Sequence, residues 1–357
     1  MATMHDIVMT ALASVMDPDL GRDLVSLNMV KHVDTDVDSV RIAVELTTPA
    51  CPMKDRIRDD IVTAVRGAID NSALHIDVEF TAQVRGGDPN RDVLPNVKHV
   101  IAVGAGKGGV GKSTVSTLLA MGLARAGAAV GLLDGDIYGP SLGTMLGLDD
   151  LQPTANGNIL DPFEAHGLKS MTIAKLVDPE KAMIWRGPMA HKAFQQLLLQ
   201  TNWGNLDYLI VDLPPGTGDV PLSLAQALPL SGSVIVCTPQ KVALNDARRA
   251  VRMFGQLNVP VLGVVENMSW FIDDADNEHD LYGRGGVEHM ATDMQLPFLG
   301  AVPMHTRVRV QGDEGDPTAM FEAHPAITSA VERLAGELAR QVSMQSGNMV
   351  QPTINVT

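Results

Sequence analysis

Gly104-Ala-Gly-Lys-Gly-Gly-Val-Gly-Lys-Ser-Thr114 follows an apolar run at residues 99–103 and leads into a helical stretch. It satisfies G-x-x-x-x-G-K-[ST] through Gly106, Gly111, Lys112 and Ser113. Glycines let the backbone curl until successive N–H groups face one anion, and the helix N-terminus adds a positive field. That chemistry is phosphate binding. Lys112 is expected at the β- and γ-phosphates and the Ser113 hydroxyl at Mg²⁺. The nucleotide-binding stretch is therefore Gly106, Lys107, Gly108, Gly109, Val110, Gly111, Lys112, Ser113 and Thr114.

Working outward, short apolar runs recur at 130–134, 208–212, 233–237, 261–266 and 298–301, with helical stretches between most of them. Apolar strands alternating with helices predict an α/β fold, a mostly parallel sheet covered by helices on both faces. Two of the runs end on carboxylates. Asp134 and Asp136 lie in Leu132-Leu-Asp-Gly-Asp-Ile-Tyr-Gly-Pro-Ser141, where a strand's carboxyl end faces a ligand crevice. Asp136 is the candidate for orienting the attacking water, with Asp134 in support. Asp212 ends Leu209-Ile-Val-Asp and is expected to hold Mg²⁺ through water. Next comes Leu213-Pro-Pro-Gly-Thr-Gly-Asp219, a stiff and then flexible switch whose Gly216 N–H is placed to sense the γ-phosphate. There is no Asn-Lys-x-Asp guanine motif, which favours adenine. Asn267, after the 261–266 strand, is either a base-reading amide or an ordinary turn asparagine.

Residues 1–85 read as a small α/β domain. Ile7, Val8, Leu12 and Val15 keep helical spacing. Strands are expected at 30–33, 40–46 and 74–84, and a helix at 52–69. Residues 86–97 read as a linker, 98–344 as the ATPase domain and 345–357 as a flexible tail. The chain of 357 residues carries 27 basic against 42 acidic side chains, a net −15 that disfavours a nucleic-acid grip. It has two cysteines, too few for a disulfide framework or a four-thiolate site in one subunit. With no apolar run long enough for a membrane helix and no secretory pattern at the start, a cytoplasmic protein without membrane partners is expected.

The second lysine, Lys107, narrows the motif. KGGVGKST resembles the deviant phosphate loop of the ATPase class that includes nitrogenase iron protein, MinD and ParA. That resemblance implies a catalytic Lys107 reaching across a homodimer that encloses two ATP molecules. GKGGVGKST (106–114), DGDIYGPS (134–141), WRGPM (185–189), DYLIVDLPPGTGD (207–219), TPQKVAL (238–244) and ENMSWF (266–271) together resemble the Mrp/ApbC family of iron–sulfur cluster carrier ATPases. Asp17-Pro18-Asp19 and Thr47-Thr-Pro-Ala-Cys-Pro52 are similar to the MIP18-type domain often fused ahead of them. The resemblance spans essentially the whole chain. It implies a P-loop ATPase using ATP and Mg²⁺, and a labile iron–sulfur cluster passed to apo-proteins with cluster-assembly proteins as partners.

The chain departs from that family at one place. Many members carry Cys-x-x-Cys soon after the ENMS phrase, where this chain reads Asp273-Asp-Ala-Asp-Asn-Glu278, a set of hard ligands poorly suited to iron–sulfur. Cys51 remains as the iron–sulfur ligand candidate. It precedes the expected helix, whose dipole would favour a thiolate, or else it is a small buried residue. Cys237, ending an apolar strand, reads as core. Two other classes compete: a MinD/ParA-like spatial organiser, and a nucleotide-regulated scaffold with no cluster of its own.

Overall fold

Strand β2, Ser39–Leu46, buries Val40, Ile42, Val44 and Leu46 and leaves the residues between them less covered, as a sheet with one packed face demands. The computed structural model describes residues 3–349 apart from 70, 72, 85, 87–92 and 176–186. It divides into two units, Met1–Arg85 with Ser343–Thr357, and Gly86–Val342.

In the first unit α1 (Met4–Leu12) starts on a capping box between Thr3 and Asp6, which satisfies donors a helix start otherwise leaves unpaired. β1 (Val30–Thr35) pairs antiparallel with β2, and β3 (His75–Ala82) pairs parallel with it. Between them α2 (Lys54–Ala68) buries Ile57, Ile61 and Val65, one residue per turn. Each such side chain contributes about 1.5–3 kcal/mol by leaving water.

The second unit opens with β4 (Val97–Gly104), α3 (Lys112–Arg125), β5 (Val130–Asp134) and the short α4 (Leu142–Met145). A two-stranded ribbon follows, β6 (Ala155–Asn156) and β7 (Ile159–Leu160), then β8 (Phe163–Ala165), β9 (Leu168–Thr172) and α5 (Gly187–Leu199). Next come β10 (Leu206–Asp212), α6 (Asp219–Ala227), β11 (Gly232–Cys237), α7 (Lys241–Gln256) and β12 (Val261–Ile272). The unit closes with β13 (Glu278–His279), α8 (Gly286–Met294), β14 (Phe298–His305), α9 (Thr306–Glu314), α10 (Pro317–Phe321) and α11 (Pro325–Met349). Nine of these strands form one sheet, in the order β13-β12-β11-β4-β10-β5-β9-β8 with β14 also on β12. Only β13 and β8 pair antiparallel. β5 and β11 are buried at every residue, because an interior parallel strand has no solvent face.

Three expectations change. β12 runs six residues past Glu266, so Asn267 lies within a strand that pairs with β14, not in a turn after it. The edge strand β8 and its neighbour β9 were not anticipated, because Leu168-Lys-Ser-Met-Thr172 interrupts its apolar pattern with polar residues that the fold buries or half-buries. The expected tail from 345 is helical as far as Met349, since α11 continues through it. Trp185 and Arg186 of the WRGPM phrase lie outside the described residues. Among the described residues no helix is long and apolar enough to cross a membrane.

Candidate active site

β4, β10 and β5 lie side by side and in parallel, so their carboxyl ends meet at one edge. The ladder register places Asp212 directly beside Asp134. The loop leaving β4 is the glycine-rich stretch, and α3 starts at Lys112 with Gly111 as its cap at φ 76. That left-handed backbone suits glycine, and an added Cβ at Gly111 would also strike the Asn267 amide. Gly106 is required for a different reason: a Cβ there would run into the backbone of Asp246 on α7.

A buried knot forms where loop and strands meet. Lys112 Nζ lies 2.7 Å from Asp212 Oδ2, with the two side chains 6% and 0% exposed. Ser113 Oγ donates to the same oxygen at 2.6 Å, and Ser116 Oγ to the other at 2.7 Å. Ser116 is not among the residues the motif singles out. Its signal was present, one turn beyond Lys112 on the same face of α3.

Asp134 is also fully buried, and burial followed by the charge of Asp212 pushes its carboxyl up to about 7. It accepts from the backbone N–H groups of Asp136, Ser141 and Leu142 and from Thr172 Oγ1, at 3.1–3.2 Å. Asp134 thus holds the DGDIYGPS loop in place, including the backbone of Asp136. Asp136 is half-buried and accepts from the Gly139 N–H at 3.2 Å. Burial raises its pKa, and the nearby Lys112 charge opposes the rise.

Three other expected residues behave in their own ways. Lys107 is half-buried on the loop and, among the described residues, makes no salt bridge. Gly216 takes φ 103, yet its N–H donates to the Ala105 carbonyl at 2.8 Å. The switch loop is therefore tied to the phosphate loop here, and that N–H is not offered to a γ-phosphate. Asn267 donates one amide hydrogen to the Val110 carbonyl at 2.8 Å and so braces the loop. Beside it opens a cavity of about 690 Å³, walled by Thr114, Met145, Asn267, Phe271, Met304 and His305.

The cysteines stand apart from this centre. Cys237 is buried, with its thiol pushed up to about 12 by burial. Cys51 is half-buried, and burial pushes its thiol up to about 11; the Met53 backbone opposes the rise, Asp19 and Asp17 add to it, and Lys54 opposes it more weakly. The helix begins at Lys54 instead of Pro52, and the Met53 backbone leading into it lowers the Cys51 thiol by less than burial raises it. The Asp-rich stretch is a tied hairpin: the Asp273 carboxylate accepts from the N–H groups of Ala275 and Asn277, and His279 Nε2 lies 2.7 Å from it. Among the described residues no three His, Cys, Asp or Glu side chains are grouped to hold a metal ion.

Residues 96–339 match the family model described as NUBPL iron-transfer P-loop NTPase, and residues 5–74 match that of an iron–sulfur cluster assembly protein. The chain is 47% identical to the iron–sulfur cluster carrier protein of Deinococcus radiodurans over 96% of its own length and 97% of that protein's. It is 39% identical to the protein of the same name from Escherichia coli, over 94% and 91%. Among solved structures it resembles a nucleotide-binding protein from Archaeoglobus fulgidus in complex with ADP, with 34% identity, a TM-score of 0.59, and coverage of 67% of this chain and 93% of that one. It also resembles the cell-division ATPase MinD of Pyrococcus furiosus, at 21% identity and a TM-score of 0.51 over 67% and 97% of the two chains. The last likeness concerns the fold alone.

Proposed function

We propose, from the premise that this chain belongs to the NUBPL iron-transfer P-loop NTPase family, that it is a cytoplasmic homodimer that hydrolyses ATP and carries iron–sulfur clusters to apo-proteins. One observation carries the ATPase half: Lys112, Ser113 and Asp212 converge at the carboxyl edge of the sheet, at the mouth of the glycine loop. The loop's N–H groups and the Lys112 ammonium neutralise the phosphate oxygens. The hard oxygens of Ser113 and Asp212, 2.6 Å apart, suit Mg²⁺, which when bound supplies further positive charge at the phosphates. Asp136, its pKa raised by burial, orients the attacking water and accepts its proton. Lys107 reaches the nucleotide of the second subunit and stabilises charge developing on the transferred phosphoryl group. The cavity beside Thr114 and Asn267 takes the nucleoside, adenine by preference.

The cluster is cargo. Full-length similarity to proteins named as cluster carriers, together with the assembly-type model over residues 5–74, supports that half. The chain's own donor set is sparse, with two cysteines, both protonated at neutral pH. Cys51 is the accessible thiol, and the remaining ligands come from a second subunit and from thiols of the protein giving or receiving the cluster.

The test is anaerobic. Wild type is loaded with iron and sulfide and mixed with an apo-acceptor, and cluster absorbance on the acceptor is followed with and without ATP. Transfer by wild type is expected. Lys107→Ala should bind ATP but lose about a thousandfold in turnover, the scale on which a charge supplied in trans acts. Turnover like wild type in that variant removes Lys107 and the dimer from the mechanism. Absence of transfer by wild type removes the carrier role.

A further inference from the structure

His305 ends β14 and caps α9, its Nδ1 accepting from the Arg307 N–H at 3.2 Å. An imidazole nitrogen accepts only while unprotonated, so the neutral ring carries its proton on Nε2. The helix capped in this way supplies Thr306, Val308 and Arg309 to the wall of the cavity assigned to the nucleoside, and His305 lines the same cavity. His305 also stacks on a second histidine, His324, with ring centroids 5.2 Å apart. His324 accepts at Nδ1 from the Ala326 N–H at 3.1 Å, and its Nε2 lies 3.2 Å from Asp276 Oδ1. The two rings thus cap two helices while neutral and lie against one another.

We propose that His305 is a positioning residue that makes nucleotide affinity pH-dependent, because only its neutral ring holds α9 as a wall of the nucleoside cavity. The proposal rests on the reading of that cavity given above. Protonation puts an Nδ1–H against the Arg307 N–H, two donors facing each other, and adds positive charge at the positive end of α9. The charged groups facing His305 are His324 ahead of α11, Arg307 on α9, and Asp274 and Asp276 on the acidic hairpin. Farther along α9, Arg309 and Asp313 pair with each other at 2.8 Å. Burial, then His324 and Arg307, hold the His305 pKa below its ordinary 6.5, while the two aspartates oppose them more weakly. The sign follows: a depressed pKa means that the neutral cap is complete above 6.5 and is lost as pH falls through the lowered value.

The experiment measures ADP affinity with Mg²⁺ by calorimetry at pH 7.5 and 5.5 on the full chain. His305→Asn keeps a capping oxygen that does not titrate, and His305→Ala removes the cap. Wild type should lose affinity between the two pH values by about fivefold more than His305→Asn does, the scale of a lost N-cap. Asp134, with its carboxyl near 7, titrates in both proteins and cancels in that comparison. His305→Ala should already bind weakly at pH 7.5. An equal pH-dependent loss in wild type and His305→Asn overturns the proposal. Val308→Trp, which narrows the cavity, separates the two levels: unchanged ADP affinity in that variant breaks the nucleoside assignment itself, and the proposal with it.

Discussion

Lys112 and Cys51 both stand at or just before the start of a helix, and carboxylates beside them act on a cation in one case and on a thiol in the other. Lys112 opens α3 with a carboxylate at 2.7 Å and hydroxyls completing the shell of that carboxylate. Cys51 lies three residues before α2, with two aspartates on one side and a more weakly felt lysine on the other. The positive field of a helix start is common to both. The neighbours differ in what they do: a carboxylate pairs with the Lys112 ammonium, whereas burial and two carboxylates push the Cys51 thiol up. Lys112, Ser113 and Asp212 thus meet within this chain, whereas the two cysteines do not.

The strongest way to break the comparison is Lys112→Ala. It removes the cation from the phosphates and leaves the buried Asp212 without its counter-charge, so ADP binding should vanish in calorimetry. Chemical denaturation should register a loss of about 3 kcal/mol. Lys112→Ala with Asp212→Ala should recover part of that stability but none of the binding. Wild-type stability in the single variant would mean that the knot is not held by charge.

A smaller effect is expected at Cys51. Its thiol at about 11, against an ordinary 9, leaves about a hundredfold less thiolate at neutral pH. Alkylation of Cys51 by iodoacetamide, followed by mass spectrometry from pH 7.5 to 10, should be slower than that of free cysteine by that order. Asp17→Asn should quicken it. A rate matching free cysteine would restore an activated thiolate and remove the contrast with Lys112.

The smallest effect sharpens the phosphate side. Asn267→Ala deletes the bond to the Val110 carbonyl and loosens the loop, so ADP affinity should fall about fivefold, the worth of one buried hydrogen bond. A larger fall, with discrimination between ADP and GDP lost as well, would return Asn267 to base recognition.

Much of the ATPase unit was legible because its signals are local. Residues 104–114 carry the loop, the helix start and the two lysines in one run, and Asp134 and Asp212 each close a strand that is apolar enough to recognise. The roles of Gly216 and Asn267 were less legible. Gly216 reads as a group offered to a ligand and Asn267 as either that or a turn residue, and each gives an N–H to the phosphate loop, at Ala105 and Val110. Spacing along the chain cannot reveal that, since a donor's partner depends on which backbone passes nearby. The acidic stretch 273–278 is exposed from Asp274 onward, and Asp273 ties the hairpin by accepting from N–H groups of its own turn.

Consecutive residues suffice for a phosphate cradle, because it is made of successive backbone N–H groups and needs only glycine where the chain curls. Apolar runs suffice for the sheet, because a strand with no solvent face must be apolar throughout. The pairing of Lys112 with Asp212, the four donors on Asp134 and the stack of His305 on His324 depend on the register of β4, β5, β10 and β14 at the carboxyl edge. Burial and neighbouring charge set the reactivity of each of these groups, and both are products of packing between segments distant in the chain.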